Sequence, residues 1–199
     1  MPHEAKNFDH LLGKLAGFSD DLLKDHFGLY KGYVTKLNEI EDKLGKADRS
    51  AANYSYNEYS ELKRRECVPL NGTYLHELYF ENLAAGGSAP SEALKSAAAA
   101  GFGTWDDYVK DCRAAAGSTP GWVITTYSRI DQKLHNYIMF EHHMNWPVYQ
   151  EPIMALDCWE HAFMRDYGTK KPAYLDAFFK NVSWAVADAR LAKASKLGR

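Results

Sequence analysis

The chain has 199 residues, 46% hydrophobic and 14% aromatic, which is enough to bury a core as one domain or two small ones and too apolar for a disordered segment. A formal net charge of −2 and a pI near 6.4 argue against a general nucleic-acid binder, whose surface carries a strong basic balance. No apolar run approaches a membrane span, and Met1-Pro2-His3-Glu4-Ala5-Lys6 lacks the charged-then-apolar order of a signal peptide. Cys67, Cys112 and Cys158 are scattered and odd in number, with no CxxC pair. A disulfide framework or a thiolate zinc site is therefore not expected, and a reducing cytoplasm is the expected compartment.

Residues 1–18 are mixed, with a short helical signal around Phe8 to Leu12. Ser19 followed by Asp20 and Asp21 predicts a helix start, with a capping hydroxyl and two acids in the first turn. Leu23, Phe27, Tyr30, Val34, Leu37 and Ile40 continue it at three- and four-residue spacing to about Leu44. A second helix is predicted from about Asn57 to Leu83, kinked or interrupted at Pro69, where a backbone donor is missing. The two read as an antiparallel hairpin. Residues 84–90, Ala-Ala-Gly-Gly-Ser-Ala-Pro, form the clearest boundary. They divide the chain into a helical-hairpin unit, 1–87, and a mixed α/β unit, 88–199. Beyond the boundary, Ser91 and Thr104 read as caps of two helices. Runs at 122–127, 134–140 and 152–156 read as strands, and helical turns follow from Lys171 to Val182 and from Trp184 to about Lys196.

The third strand run leads into Asp157-Cys158-Trp159-Glu160-His161-Ala162-Phe163. The segment out to about Tyr167 reads as a helix start, and at i, i+4 spacing Asp157 and His161 then share a helix face. The pair reads either as a capping Asp with a nearby His or as two ligands for a first-row metal, an anionic oxygen and a neutral nitrogen. His26 beside the first apolar stripe and His76 in the second helix are the candidates to complete such a site. Three imidazoles and one carboxylate suit iron, manganese or zinc, and the HExxH spacing of helical zinc peptidases is missing.

Asp157-Cys158-Trp159-Glu160-His161-Ala162 resembles the D-x-W-E-H-A signature of the iron/manganese superoxide dismutase family. The resemblance extends over nearly the whole chain. His26 with Tyr33-Val34-Thr35-Lys36-Leu37-Asn38 is similar to the family's first-helix motif, and His76 in Asn71-Gly72-Thr73-Tyr74-Leu75-His76 stands where its second-helix ligand belongs. Pro120-Gly121-Trp122, Lys171-Pro172-Ala173-Tyr174-Leu175 and Asn181-Val182-Ser183-Trp184 follow in the family's order. The resemblance implies an α+β fold, an antiparallel helical hairpin followed by a mixed domain with a three-stranded antiparallel sheet surrounded by helices. It implies one ion per subunit, iron preferred or manganese, bound by His26, His76, Asp157, His161 and a solvent molecule. The implied reaction is dismutation of superoxide to dioxygen and hydrogen peroxide by a homodimer or homotetramer. No nucleic-acid or membrane partner is expected.

Several positions depart from the family pattern. Its gate tyrosine follows the first ligand by eight residues, whereas Tyr33 follows His26 by seven. Seven residues return to nearly the same helix face, about 20° off, while eight need an extra residue, as in a π-bulge. The expectation is a bulge-free helix with Tyr33 facing the metal and Tyr30 as its rival. The glutamine that holds the solvent is replaced: one of its usual places is Gly72, and at the other His142 fits best, with His143 one residue away. Glu160 is implied to reach across a two-fold interface to the partner's His161, but the tyrosine three residues beyond is Met164. Either that interface is rearranged or a tyrosine such as Tyr30 or Tyr167 substitutes. Trp122, Trp159 and Tyr79 or Phe80 are expected to wall the metal, and Lys171 either steers the anion or is an ordinary surface lysine. Two other readings compete: a metal-binding protein on this scaffold without fast turnover, and a zinc hydrolase, for which no general base is apparent.

Overall fold

The protein is described by a computed structural model covering residues 2–197; the terminal residues 1, 198 and 199 of the two predicted units lie outside the described residues. Helix α1, Asp20–Lys46, opens on Ser19, whose hydroxyl accepts from the Leu22 amide, as the sequence predicts. Its stripe of Leu23, Phe27, Tyr30, Val34, Leu37, Ile40 and Leu44 is buried, each such side chain contributing about 1.5–3 kcal/mol. Helix α2, Glu58–Glu81, is capped by Asn57 and packs along α1. The predicted interruption at Pro69 is not observed: α2 runs through it. The proline removes one donor, leaving the Arg65 carbonyl without its partner, but Arg65 lies on the exposed part of α2, where water can supply the bond.

The chain then turns through Gly86 and Gly87 at φ +70° and +63°. A Cβ on Gly87 would lie 2.7 Å from the Val182 carbonyl oxygen, so only glycine fits there. Backbone bonds from Ala84 to Asn181, Ser88 to Val182 and Ser183 to Asn82 tie this turn to the far end of the chain. Helices α3, Glu92–Phe102, and α4, Trp105–Gly117, start at the predicted caps Ser91 and Thr104.

Strands β1, Trp122–Ser128, β2, Leu134–Met139, and β3, Gln150–Asp157, form one antiparallel sheet in the order β2-β1-β3. β1 is central and buried along its whole length. The register pairs Trp122 with Met139 on one side and with Asp157 on the other. A tight 3-10 turn, Glu160–Ala162, the four-residue helix α5, Met164–Tyr167, and helices α6, Lys171–Asn181, and α7, Trp184–Ala194, complete the fold. Arg190 on α7 reaches Glu81 and Asn82 of the hairpin side and the Ile153 carbonyl of β3. A single apolar core runs from Phe8 through both long helices to the sheet and α7. The architecture is α+β, as the sequence implied.

Candidate metal centre

Four side chains, each from a different element, meet where the hairpin touches the end of β3. His26 and His76 come from α1 and α2. Asp157 is the last residue of β3, and His161 lies in the 3-10 turn. The predicted helical continuation is corrected here. Asp157 caps no helix; its Oδ1 accepts from the Trp159 amide at 2.9 Å while the Cys158 amide bonds Gly121. The chain then tightens into the 3-10 turn, and that turn, not an α-helical i, i+4 face, carries His161 back to Asp157.

Asp157 Oδ2 lies 3.1 Å from His26 Nε2, 3.1 Å from His161 Nε2 and 3.6 Å from His76 Nε2. The four potential donor atoms all fall within 4.8 Å of one another. His26, His76 and Asp157 are buried and His161 is partly open. His76 Nδ1 faces the Gly72 carbonyl, its proton's acceptor, which leaves Nε2 as a bare lone pair aimed at the cluster. That lone pair sits 3.4 Å from His161 Nε2 as well as facing the carboxylate. Acceptors facing acceptors in a buried site are costly unless a cation lies between them, so the donor set fits a metal ion. Burial lowers the pKa of His26 and of His76, keeping both imidazoles neutral. Burial opposes ionisation of Asp157, but His161 and His26 beside it outweigh this and hold its carboxyl below the usual range. Neutral imidazoles and an ionised carboxylate are the forms that bind metal.

Aromatic rings close the site. Tyr33 stacks on His76 at 5.5 Å, Trp122 meets His76 edge-on at 5.1 Å, and Phe80 meets His26 at 4.8 Å. Tyr79 lies 5.3 Å from His26, and Trp159 stacks along His161 at 6.5 Å. Trp122, Trp159, Tyr79 and Phe80 are the walls expected from the sequence. Tyr33, on a regular α1 without a bulge, brings its hydroxyl to 2.7 Å from His142 Nε2. Trp122 Nε1 donates to His142 Nδ1 at 2.8 Å. An indole nitrogen can only donate, so neutral His142 carries its proton on Nε2 and gives it to the Tyr33 oxygen. Tyr33's own hydroxyl proton is thereby left for another acceptor. Burial pushes His142 down to about 4, and burial followed by the Asp157 charge raises Tyr33.

Tyr30 points elsewhere: it is fully buried and donates to Glu77. His143 lines a separate groove with Cys67 and Trp146. Gly72 has a steric reason: a Cβ there would lie 2.7 Å from the Tyr33 ring. Gly72→Ala is expected to displace Tyr33 from His142, costing about 1–3 kcal/mol of stability, with the displacement visible as loss of the Tyr33–His142 contact in a crystal structure.

Glu160 and Met164 are exposed beside His161, next to Arg165, which is paired with Asp21 and Asp25. Neither tyrosine considered as a substitute offers a free hydroxyl there, since Tyr30 is buried and Tyr167 donates to the Gly17 carbonyl. Lys171 is not a free surface lysine. Its ammonium binds the Ala116 and Thr119 carbonyls at the end of α4, over the Phe163 ring. Two contributors escaped the sequence reading. Tyr174 donates to the Asp157 carbonyl at 2.6 Å and is itself met by Tyr79 at 3.2 Å. Asn71 donates to the His142 carbonyl. Tyr174 lay in the Lys171 to Leu175 motif, but the sequence carries no signal of which atom its hydroxyl meets.

Comparison with known proteins decides the family. The profile of iron/manganese superoxide dismutases, C-terminal domain, matches residues 90–190. The superoxide dismutase [Fe] of Aquifex aeolicus is 41% identical, covering 98% of this chain and 94% of that protein. The chain belongs to the iron/manganese superoxide dismutase family. Other relatives in the family carry either metal in their names. The superoxide dismutase [Fe] of Cupriavidus metallidurans is 37% identical over 98% of both chains. The superoxide dismutase [Mn] 2 of Haloferax volcanii is 32% identical over 84% of this chain and 83% of its own.

Proposed function

We infer that the protein is a superoxide dismutase, converting two superoxide anions and two protons to dioxygen and hydrogen peroxide. The observation that carries the reading is the convergence of His26, His76, Asp157 and His161 inside an aromatic shell, in a chain of this family. These four residues would hold one iron or manganese ion, with iron preferred because the relatives of 37–41% identity cited above are named for it. Once bound, the ion supplies a one-electron couple between trivalent and divalent states, which zinc lacks. The chain does the rest. Asp157 contributes the single negative charge of the donor set, and Tyr174 holds its backbone. Trp122, Tyr79 and Phe80 keep water and larger anions from the buried side. His142 orients Tyr33 and leaves the phenol proton free to be given to a reduced oxygen species beside the cluster.

The assembly belongs to the same proposal. A homodimer or homotetramer would place Glu160 near a two-fold axis, with Met164 in apolar contact beside it. The division into units 1–87 and 88–199 and a cytoplasmic setting complete it. No described helix is long and apolar enough to cross a membrane.

The test is the decay of a superoxide pulse per bound ion, on separately iron-loaded and manganese-loaded protein. Decay near the diffusion limit with one metal establishes the activity and its cofactor. Stoichiometric binding without accelerated decay would leave a metal-binding protein on this scaffold.

A further inference from the structure

Residues 3–8 form an arm laid across the helical hairpin. The His3 amide donates to Asn38 Oδ1 at 2.7 Å, and Asn38 returns a bond to the His3 carbonyl at 2.9 Å. The His3 ring meets Tyr74 of α2 at 2.7 Å and Glu41 of α1 at 3.0 Å. Three residues on, Lys6 closes a ring of three bonds with Tyr30 and Glu77. Its backbone N–H donates to Tyr30 Oη at 2.9 Å, and Tyr30 donates to Glu77 Oε1 at 2.8 Å. The Lys6 ammonium then reaches Glu77 Oε2 at 2.7 Å and Glu81 at 2.8 Å. Phe8 completes the contact, meeting Phe80 at 5.0 Å and Tyr30 at 5.9 Å.

This ring lies directly behind the metal centre. Glu77 follows His76 in α2, and Tyr30 stands one turn after His26 in α1. The Tyr30 ring packs at 6.4 Å from that of His76, and Phe80, which Phe8 touches, packs on His26. A carboxylate only 6% exposed is expensive unless paired and hydrogen-bonded, and here both oxygens are satisfied by one residue of the arm and one tyrosine. Packing alone does not require a charged residue at position 77. What the ring achieves is to fix the turn of α2 that aims His76 against the turn of α1 that carries His26.

We propose that the amino-terminal arm is part of the metal centre's support, with Lys6, Tyr30 and Glu77 acting as positioning residues for His76 and His26. This rests on the metal reading above. Without the ring, His76 is free to drift on its helix, and the bound ion exchanges faster.

The test is the release of ferric iron to a chelator, at a temperature where circular dichroism shows every variant folded, with the paramagnetic resonance line shape as a second readout. Lys6→Met and Tyr30→Phe are each expected to release iron about tenfold faster, the lower end of the effect of removing a group that orients a ligand, and to alter the line shape. Lys6→Arg keeps the charge and is expected to hold iron as wild type does. Tyr30→Phe removes one hydroxyl from a packed ring, so it decides the matter should Lys6→Met fail to fold. Folded variants with wild-type release and line shape overturn the inference and leave the arm a plain strap. A wild-type protein that retains no ion would overturn the metal reading itself, a result distinguishable from the other.

Discussion

Asp157→Ala is expected to abolish dismutation and to weaken metal binding by more than about 100-fold, beyond the range seen when only a ligand's supporting partner is lost. The reason is charge. Asp157 is the one anion among the four converging groups, and its Oδ2 is the atom on which His26, His161 and His76 are centred. Three neutral imidazoles cannot offset the charge of a divalent or trivalent ion in a buried site. The metal-free variant should nonetheless fold. Removing the carboxylate relieves its desolvation, which offsets the loss of its bonds to the Trp159 amide, His26 and His161. Asp157→Asn separates the two effects, since it keeps an acceptor for Trp159 and loses the charge. Thermal melts with and without added iron make the measurement: wild type gains melting temperature on loading, and both variants do not. A variant that still gains would refute this account of the site.

His142→Leu is the second. It leaves the buried Trp122 N–H without its acceptor and the half-buried Tyr33 oxygen without its donor, and the buried indole alone costs about 1–3 kcal/mol. Activity should fall about 10–100-fold, while iron content stays near one per subunit because no ligand is touched. His142→Gln should recover most of the activity, as its carbonyl can accept from Trp122 and its amide can donate to Tyr33. The same residue predicts an acid response of the metal-free protein. Burial lowers His142 from 6.5 to about 4, so between these values the unfolded chain takes up a proton that the folded chain does not. Stability in that window therefore rises with pH and is lost on acidification. Both variants should lose less than wild type over the same range, by urea titration at a series of pH values.

The helices and strands were legible because their signals are local. Ser19, Asn57, Ser91 and Thr104 each cap the helix they introduce, and the α1 stripe is the buried face. The exceptions are also local in cause. At Pro69 the sequence predicts a kink or an interruption, and only the interruption fails, because a sequence shows the missing donor but not the solvent that replaces it. The sequence after Asp157 predicts an α-helical turn, because i, i+4 spacing does not reveal the tighter winding that brings the two side chains together. The four converging residues were legible through motif and spacing. Their surroundings were less so, because long-range bonds such as Tyr174 to the Asp157 carbonyl leave no periodicity. Sequence leaves His142 and His143, and Tyr33 and Tyr30, as open pairs, because packing sets the direction of each ring. One faces the cluster in each pair, and the other serves a groove or the arm.

The separation of the converging residues along the chain bears on how the protein acquires its ion. His26 and Asp157 are 131 positions apart, and His76 and His161 are 85 apart. Only Asp157 and His161 are neighbours in sequence, and two donors on a flexible segment make a weak site. An unfolded or half-synthesised chain therefore holds no competent cage, and the cage appears only when the hairpin docks on the sheet, a step of long loop closure. Loading is then a late event, completed behind rings that also slow escape. Which ion is captured depends on the supply at the moment of closure as much as on the affinity of the finished site, so chains closed in different iron-to-manganese ratios will retain different cargoes.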